Sequence, residues 1–173
     1  MPVGTIIVLA FLAFVAVTIF KGVRIVPQGY KWIVQRLGKY HSTLNPGLNF
    51  VIPYIDDVAY KVTTKDIVLD IPSQEVITRD NAVLLMNAVA YINLTTPEKA
   101  VYGIENYTWA IQNLVQTSLR SIVGEMDLDD ALSSRDHIKA KLKAAISDDI
   151  SDWGITLKTV ETVSYTHLRA HET

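Results

Sequence analysis

The first twenty residues constrain this chain more than any other segment. Met1–Phe20 holds no charged side chain, Val3–Phe20 is almost wholly apolar, and Lys21 and Arg24 follow at once. A run of about 18 or more apolar residues can cross the hydrocarbon core of a bilayer as a helix. A helix satisfies its own backbone donors and acceptors, which lipid cannot do. Residues 1–21 are therefore predicted to be a transmembrane anchor, with the rest of the chain working beside a membrane.

Basic residues flank the span on its C-terminal side only, at Lys21, Arg24, Lys31 and Arg36. Lys and Arg are held back on the cytoplasmic side during insertion. The expected topology is single-pass, with a short N-terminus outside and the main body cytoplasmic. A cleaved signal peptide competes with this reading, because Ala16-Val17-Thr18 offers a small-x-small cleavage pattern. A signal peptide also wants a basic segment before the apolar run, and here there is none. Under that alternative the remainder is an exported or membrane-tethered binding or hydrolytic domain starting near residues 17–22. A buried core helix fits less well, since such helices seldom lack polar residues on every face.

Removing the span leaves about 150 residues, a usual size for one domain. The formal charge of −2 gives no basic footprint for nucleic acid. The chain has no cysteine, which excludes disulfides, thiolate catalysis and Cys-based zinc sites.

After the anchor, Pro27-Gln28-Gly29 reads as a turn. Tyr30–Leu37 reads as a strand closed by Gly38-Lys39. Asn45-Pro46-Gly47-Leu48 fits a type II turn, with Pro presetting φ and Gly accepting positive φ. Leu48–Tyr54 is a short apolar loop or strand. Val58, Tyr60 and Val62 alternate, as do Ile67, Leu69 and Ile71, the period of half-buried strands. Thr78-Arg79-Asp80-Asn81 is a polar turn. Ala82–Leu94 is a long strand with two largely apolar faces, expected to be covered on both sides or to run through the middle of a sheet. Tight turns between short strands predict a mainly antiparallel sheet.

The period then changes. Thr96-Pro97-Glu98 starts a short helix, with Thr as cap and Pro at the first helical position, and Gly103 ends it. In Tyr107–Val123 the residues Ile111, Leu114, Val115, Leu119, Ile122 and Val123 recur at three and four, an amphipathic helix. Gly124 stands where a left-handed C-terminal residue belongs. Asp127-Leu128-Asp129-Asp130 reads as a connector. Ser133-Ser134-Arg135-Asp136 caps a third helix whose stripe is Ile138, Leu142, Ile146, Ile150 and Trp153. Gly154 ends it, and Ile155–Val160 is a closing strand. Strands first and helices second define an α+β domain of three packed helices on a mainly antiparallel sheet.

An ordered set of segments resembles the stomatin–prohibitin–flotillin family, the SPFH or band 7 domain, and most closely its bacterial stomatin-like (paraslipin) members. The segments are Arg24-Ile25-Val26-Pro27-Gln28, Pro46-Gly47-Leu48-Asn49-Phe50, Thr78-Arg79-Asp80-Asn81, Ala88-Val89-Ala90-Tyr91 and Pro97-Glu98-Lys99-Ala100-Val101-Tyr102. Glu105-Asn106-Tyr107, Gln116-Thr117-Ser118-Leu119-Arg120-Ser121, Leu132-Ser133-Ser134-Arg135-Asp136 and Trp153-Gly154-Ile155 continue it. The resemblance implies an SPFH domain over residues 22–162. It also implies a non-enzymatic scaffold, without cofactor, that oligomerises, organises membrane microdomains and takes part in membrane protein quality control by restraining proteases. Its partners would be membrane lipid, further copies of itself and membrane protease or other membrane protein clients, at a bacterial inner membrane.

The chain departs from the family's pattern at Lys139, where a small or amide residue is common, and at Ser147 and Ile150, where Asp and Thr are common. Thr156 and Thr159 stand where a basic residue is common. Family members usually continue into an Ala/Glu-rich coiled coil, whereas residues 163–173 resemble translated sequencing adapter and are expected to be a non-native tail. On that reading the coiled coil is missing here.

Catalytic chemistry finds little support. His167 and His171 are four apart, a metal-binding spacing on a helix, but lack a third ligand and fall in the suspect tail. His41 and His137 are isolated. Asp127, Asp129 and Asp130 lack the Gly and terminal Glu of a calcium loop. There is no nucleophile elbow and no phosphate loop. Two surfaces remain. Phe50, Val51, Ile52, Pro53 and Tyr54 place aromatics beside aliphatics near the anchor, a candidate membrane contact. Large apolar residues are usually buried, so a core strand is the first expectation for them. The third-helix stripe suits packing on the domain's own sheet better than a neighbouring subunit.

Overall fold

A helix and two short antiparallel sheets open the chain. The computed structural model describes residues 3–165. Helix α1 covers Val3–Gly22, all apolar except near its ends, and is long and apolar enough to cross a membrane. Strands β1 (Val23–Val26) and β4 (Gly47–Phe50) pair antiparallel, and β2 (Tyr30–Arg36) lies between β3 (Lys39–Leu44) and β5 (Asp56–Thr63). These elements form one compact unit ending at Thr64, and a second unit begins at Lys65.

Strand β3 is a departure from expectation. Lys39-Tyr40-His41-Ser42-Thr43 shows no apolar alternation, because its outer side faces water and only Leu44 is buried. Its partner is set by the turn instead. Leu37 and Gly38 both take positive φ, 51° and 81°, and the hairpin closes with Arg36 opposite Lys39. Two positive-φ residues match the right-handed twist of the flanking strands. The type II turn expected at Asn45–Leu48 is absent. Gly47 has positive φ, but at 117° it opens β4, and the Asn49 side-chain amide donates to the carbonyls of Asn45 and Gly47. Val26, Val34 and Leu44 form the unit's small core, with Trp32, Val51 and Val58 against it.

The second unit has one antiparallel sheet, with β7 (Val83–Leu94) between β6 (Ile67–Ile77) and β8 (Ile155–Tyr165). The long strand thus runs through the middle. Leu84, Met86, Ala88, Ala90, Ile92 and Leu94 are buried on one face, where helices α3 (Tyr107–Gly124) and α5 (Arg135–Asp152) pack. The α5 stripe of Ile138, Leu142, Ile146 and Ile150 is wholly buried. It belongs to this unit's own core. Burying each such side chain contributes roughly 1.5–3 kcal/mol.

Helix α2 (Pro97–Gly103) starts after Thr96, but the Thr96 hydroxyl makes no cap bond; its carbonyl accepts from Lys99 and Ala100. Asn106 caps α3 instead, its side chain accepting from the Trp109 N–H at 3.0 Å. Gly124 is not left-handed. It stays within α3, and the chain leaves through Glu125 in helical conformation. The supposed connector holds an additional helix, α4 (Leu128–Ser133), the third after the anchor and acidic in its first turn. Acidic side chains there complement the helix dipole. The Ser134 side chain makes no cap bond to α5 either; its backbone N–H closes α4 on Asp130, and its carbonyl accepts from His137 and Ile138. Gly154 ends α5 at φ 69°. Val163–Tyr165, assigned to the tail from sequence, extend β8 opposite Asn87–Leu85; His167 and His171 lie outside the described residues.

Candidate membrane-contact site

The β1–β4 ribbon determines where the apolar loop begins. Its register pairs Val23 with Phe50 and Ile25 with Leu48. Side chains alternate across a strand, so these four share one face. Val26, on the other face, is in the core. The shared face is open: Ile25 is 70 % exposed, Leu48 64 % and Phe50 70 %, and Val23 is half-buried. Downstream, Ile52 is 49 % and Tyr54 72 % exposed. The core expectation therefore fails for Phe50, Ile52 and Tyr54. Only Val51 packs into the core, and Pro53 is half-buried.

The loop is fastened to the end of α1. The Val51 N–H donates to the Gly22 carbonyl at 2.9 Å. A Cβ on Gly22 would stand 2.8 Å from the Val51 carbonyl, so the close approach requires glycine. The Lys21 ammonium lies 5.9 Å from the Tyr54 ring centroid, within cation–π reach. The apolar loop thus meets the helix where its basic flank begins.

Asp56 holds the loop's other end. Arg36 donates to its carboxylate through Nε at 2.7 Å and Nη2 at 3.0 Å, and the Ile52 N–H donates to the same group at 2.9 Å. The Asp56 N–H returns to the Ile52 carbonyl at 3.0 Å, and Tyr54 takes φ 75° inside this short closure. The Arg36 hydrogen bond, then that from Ile52, hold the Asp56 carboxyl down at about 2, against the opposing effect of burial. Such two-pronged guanidinium–carboxylate pairs fix geometry as well as charge.

Sequence reasoning named Phe50–Tyr54 but missed Ile25, Leu48 and the Arg36–Asp56 clasp. Ile25 and Leu48 lie 23 positions apart, and only the strand register makes them neighbours. Arg36 was noted for its charge alone. Of the isolated histidines, His41 lies in β3 and His137 in the first turn of α5, both exposed. Among the described residues no group of three His, Cys, Asp or Glu could hold a metal.

The chain thus combines a membrane-length apolar helix, a small β unit with an open apolar rim beside it, and an α+β unit with a closed core. Comparison with known proteins names the family. The SPFH domain / Band 7 family matches residues 24–168, and the chain belongs to it. The chain is 42% identical to an uncharacterised protein of Methanocaldococcus jannaschii over 83% of this chain and 71% of that protein. It is 36% identical to an uncharacterised protein of Mycobacterium tuberculosis, over 91% of this chain and 42% of the relative. It is 38% identical to human "Stomatin-like protein 2, mitochondrial", over 75% of this chain and 36% of the relative. The chain thus spans less than half the length of the last two.

Proposed function

We propose that this chain is a non-enzymatic, membrane-anchored scaffold. Helix α1 spans the bilayer with the remainder on the cytoplasmic side, and the Val23–Ile25–Leu48–Phe50 face with Ile52 and Tyr54 lies in the interface. The hydrogen bond from Val51 to Gly22 carries this reading, because it ties the exposed apolar loop to the end of the membrane-length helix. Aromatic side chains favour the headgroup level, and Lys21 is placed to reach the polar side of it. Confinement at a surface raises the effective concentration of neighbouring copies, so weak lateral contacts suffice for assembly. Organisation of microdomains and restraint of membrane proteases at a bacterial inner membrane rest on the family resemblance, and these clients are partners to be sought.

The chain has no native cysteine, so single cysteines at Leu48 or Phe50 can carry an environment-sensitive fluorophore. In vesicles of phosphatidylcholine and phosphatidylglycerol, both labels are expected to be quenched by lipid-borne nitroxide and shielded from aqueous iodide. Full iodide access at both positions overturns the interface reading. A reporter fused after Glu161 should be protected from protease in intact cells; a mature N-terminus near residues 17–22 would instead favour the exported alternative.

A further inference from the structure

Helices α3 and α5 cover one face of the second unit's sheet. The opposite face of β7 carries Val83, Leu85, Asn87, Val89, Tyr91 and Asn93, since side chains alternate across a strand. Where an antiparallel sheet has one face in water, its strands alternate apolar with polar. Val83, Leu85, Val89 and Tyr91 break that rule. Strand β6 adds Val68 beside Tyr91 and Ile77 beside Val83. Val68 is 57 % exposed, Ile77 59 % and Val83 56 %, while Leu85, Val89 and Tyr91 are half-buried. The core of this unit is closed on the helix side only.

Carboxylates border this stripe. The register sets Asp70 beside Val89 and Glu75 beside Leu85 on the β6 side, and Glu161 beside Val89 on the β8 side. Glu161 is held by Lys139. Asp70 and Glu75 are exposed and make no ion pair among the described residues. At the middle of the stripe β6 bulges between Ile71 and Gln74, and Asn87 lies opposite the bulge. Its side-chain oxygen is buried and accepts no hydrogen bond among the described residues. Buried polar groups are ordinarily paired. The terminal torsion of Asn is soft, so a small rotation turns that oxygen toward a donor arriving on the open face.

We propose that this face docks an amphipathic helix of another protein, apolar along one side and bordered by lysine or arginine. The helix lies along β7 with its apolar side on Val83, Leu85, Val89 and Tyr91. Asp70 and Glu75 stand beside Val89 and Leu85, which at strand spacing are about 13 Å apart. Two cations seven or eight residues apart on a helix span about 10–12 Å, so one reaches each carboxylate. The docked helix adds the layer that the chain's own helices leave off this side of the sheet. The two unpaired carboxylates favour a basic partner and repel an acidic one. The inference rests on the scaffold reading and deepens it by naming the chemical kind of client.

The test uses the full chain in phosphatidylcholine nanodiscs and a fluorescein-labelled, hydrocarbon-stapled helix of about 18 residues, with a leucine stripe and two bordering lysines seven apart. A twin peptide carries glutamate in place of both lysines. Anisotropy is read after subtracting binding to empty nanodiscs. The lysine peptide is expected to bind at least about ten-fold more tightly than its twin, and Asp70→Lys with Glu75→Lys should reverse that preference. Val83→Asp should weaken the lysine peptide about ten-fold, and Val68→Asp repeats the measurement at a second exposed position. Circular dichroism checks that each variant is folded. No binding by the wild type, equal binding of the two peptides, or an unreversed preference in the double variant each overturn the site. So does self-association of the wild type that the double variant abolishes, which would make a second copy the occupant. The lipid-quenching measurement is independent of these substitutions. Labels shielded from iodide without peptide binding remove this site alone, and peptide binding with full iodide access at both labels removes the interface reading alone.

Discussion

The two units dispose of apolar surface in opposite ways. In the second, the apolar stripes of α3 and α5 and the inner face of β7 close on one another, and the outer helix face is charged. In the first, the core is a handful of residues around Val26, Val34 and Leu44, while Ile25, Leu48, Phe50 and Tyr54 stay outside. A soluble protein seldom leaves so many large apolar side chains side by side without a use for them. On the proposed membrane contact, burial within the chain organises one unit, whereas the other is completed by something apolar outside itself.

The largest expected effect breaks the second unit. Ile146→Ala removes a fully buried side chain from the α5 stripe. It should cost about 3 kcal/mol, read as a lower denaturant midpoint in guanidinium unfolding of the full chain in detergent. Gly154→Ala comes next. A Cβ there would stand 2.5 Å from the Thr96 carbonyl oxygen at a φ of +69°, and the Gly154 carbonyl accepts from both Thr95 and Thr96. Strain and displacement together should cost about 2 kcal/mol. A variant as stable as wild type would show that the α5–β8 corner is free to shift.

A third prediction concerns the clasp in the first unit. Asp56→Ala removes a carboxylate that holds both Arg36 and the Ile52 N–H. Melting of the first unit should fall by about 5 °C. The pH dependence has a definite sign. The folded carboxyl is lowered to about 2 from 3.8, so its contribution is fully present above the unfolded value and is lost as pH falls through that interval. Acid unfolding between those limits should lose part of its steepness in Asp56→Ala; an unchanged profile would mean another group controls it.

These effects also mark what could be read without coordinates. Ile138, Leu142, Ile146 and Ile150 announce their helix and its buried side by spacing alone, and β7 announces its central place by having two apolar faces. The β3 strand did not, because Lys39–Thr43 is polar and owes its pairing to the Leu37–Gly38 turn. Helix α4 did not, because Asp127–Asp130 looks like solvated charge until the chain around it is folded. At the candidate site, composition flagged Phe50–Tyr54, but it took the strand register to add Ile25 and Leu48. Only the folded packing separated Val51, which lies against the small core, from Ile52, which stays open. Long-range pairing is what a local pattern cannot express.

The smallest effect on folding therefore gives the sharpest test of the contrast. Ile25→Ser with Leu48→Ser removes two large apolar groups, as Ile146→Ala removes one, yet both sit on the open face of the ribbon. If that face is completed from outside the chain, stability in detergent should move by no more than about 0.5 kcal/mol. The altered face should then lose its hold on lipid, read as iodide access to a label at Phe50 in vesicles. A loss of stability comparable to that of Ile146→Ala would place these side chains in an interior contact, and the distinction between the units would vanish. Ile52→Asp refines the comparison, since the Ile52 backbone is held by Asp56 whatever its side chain. Val51→Asp, by contrast, puts a charge into the small core and should unfold the unit, so the two neighbouring changes must part company if the loop has one side for the protein and one for the membrane.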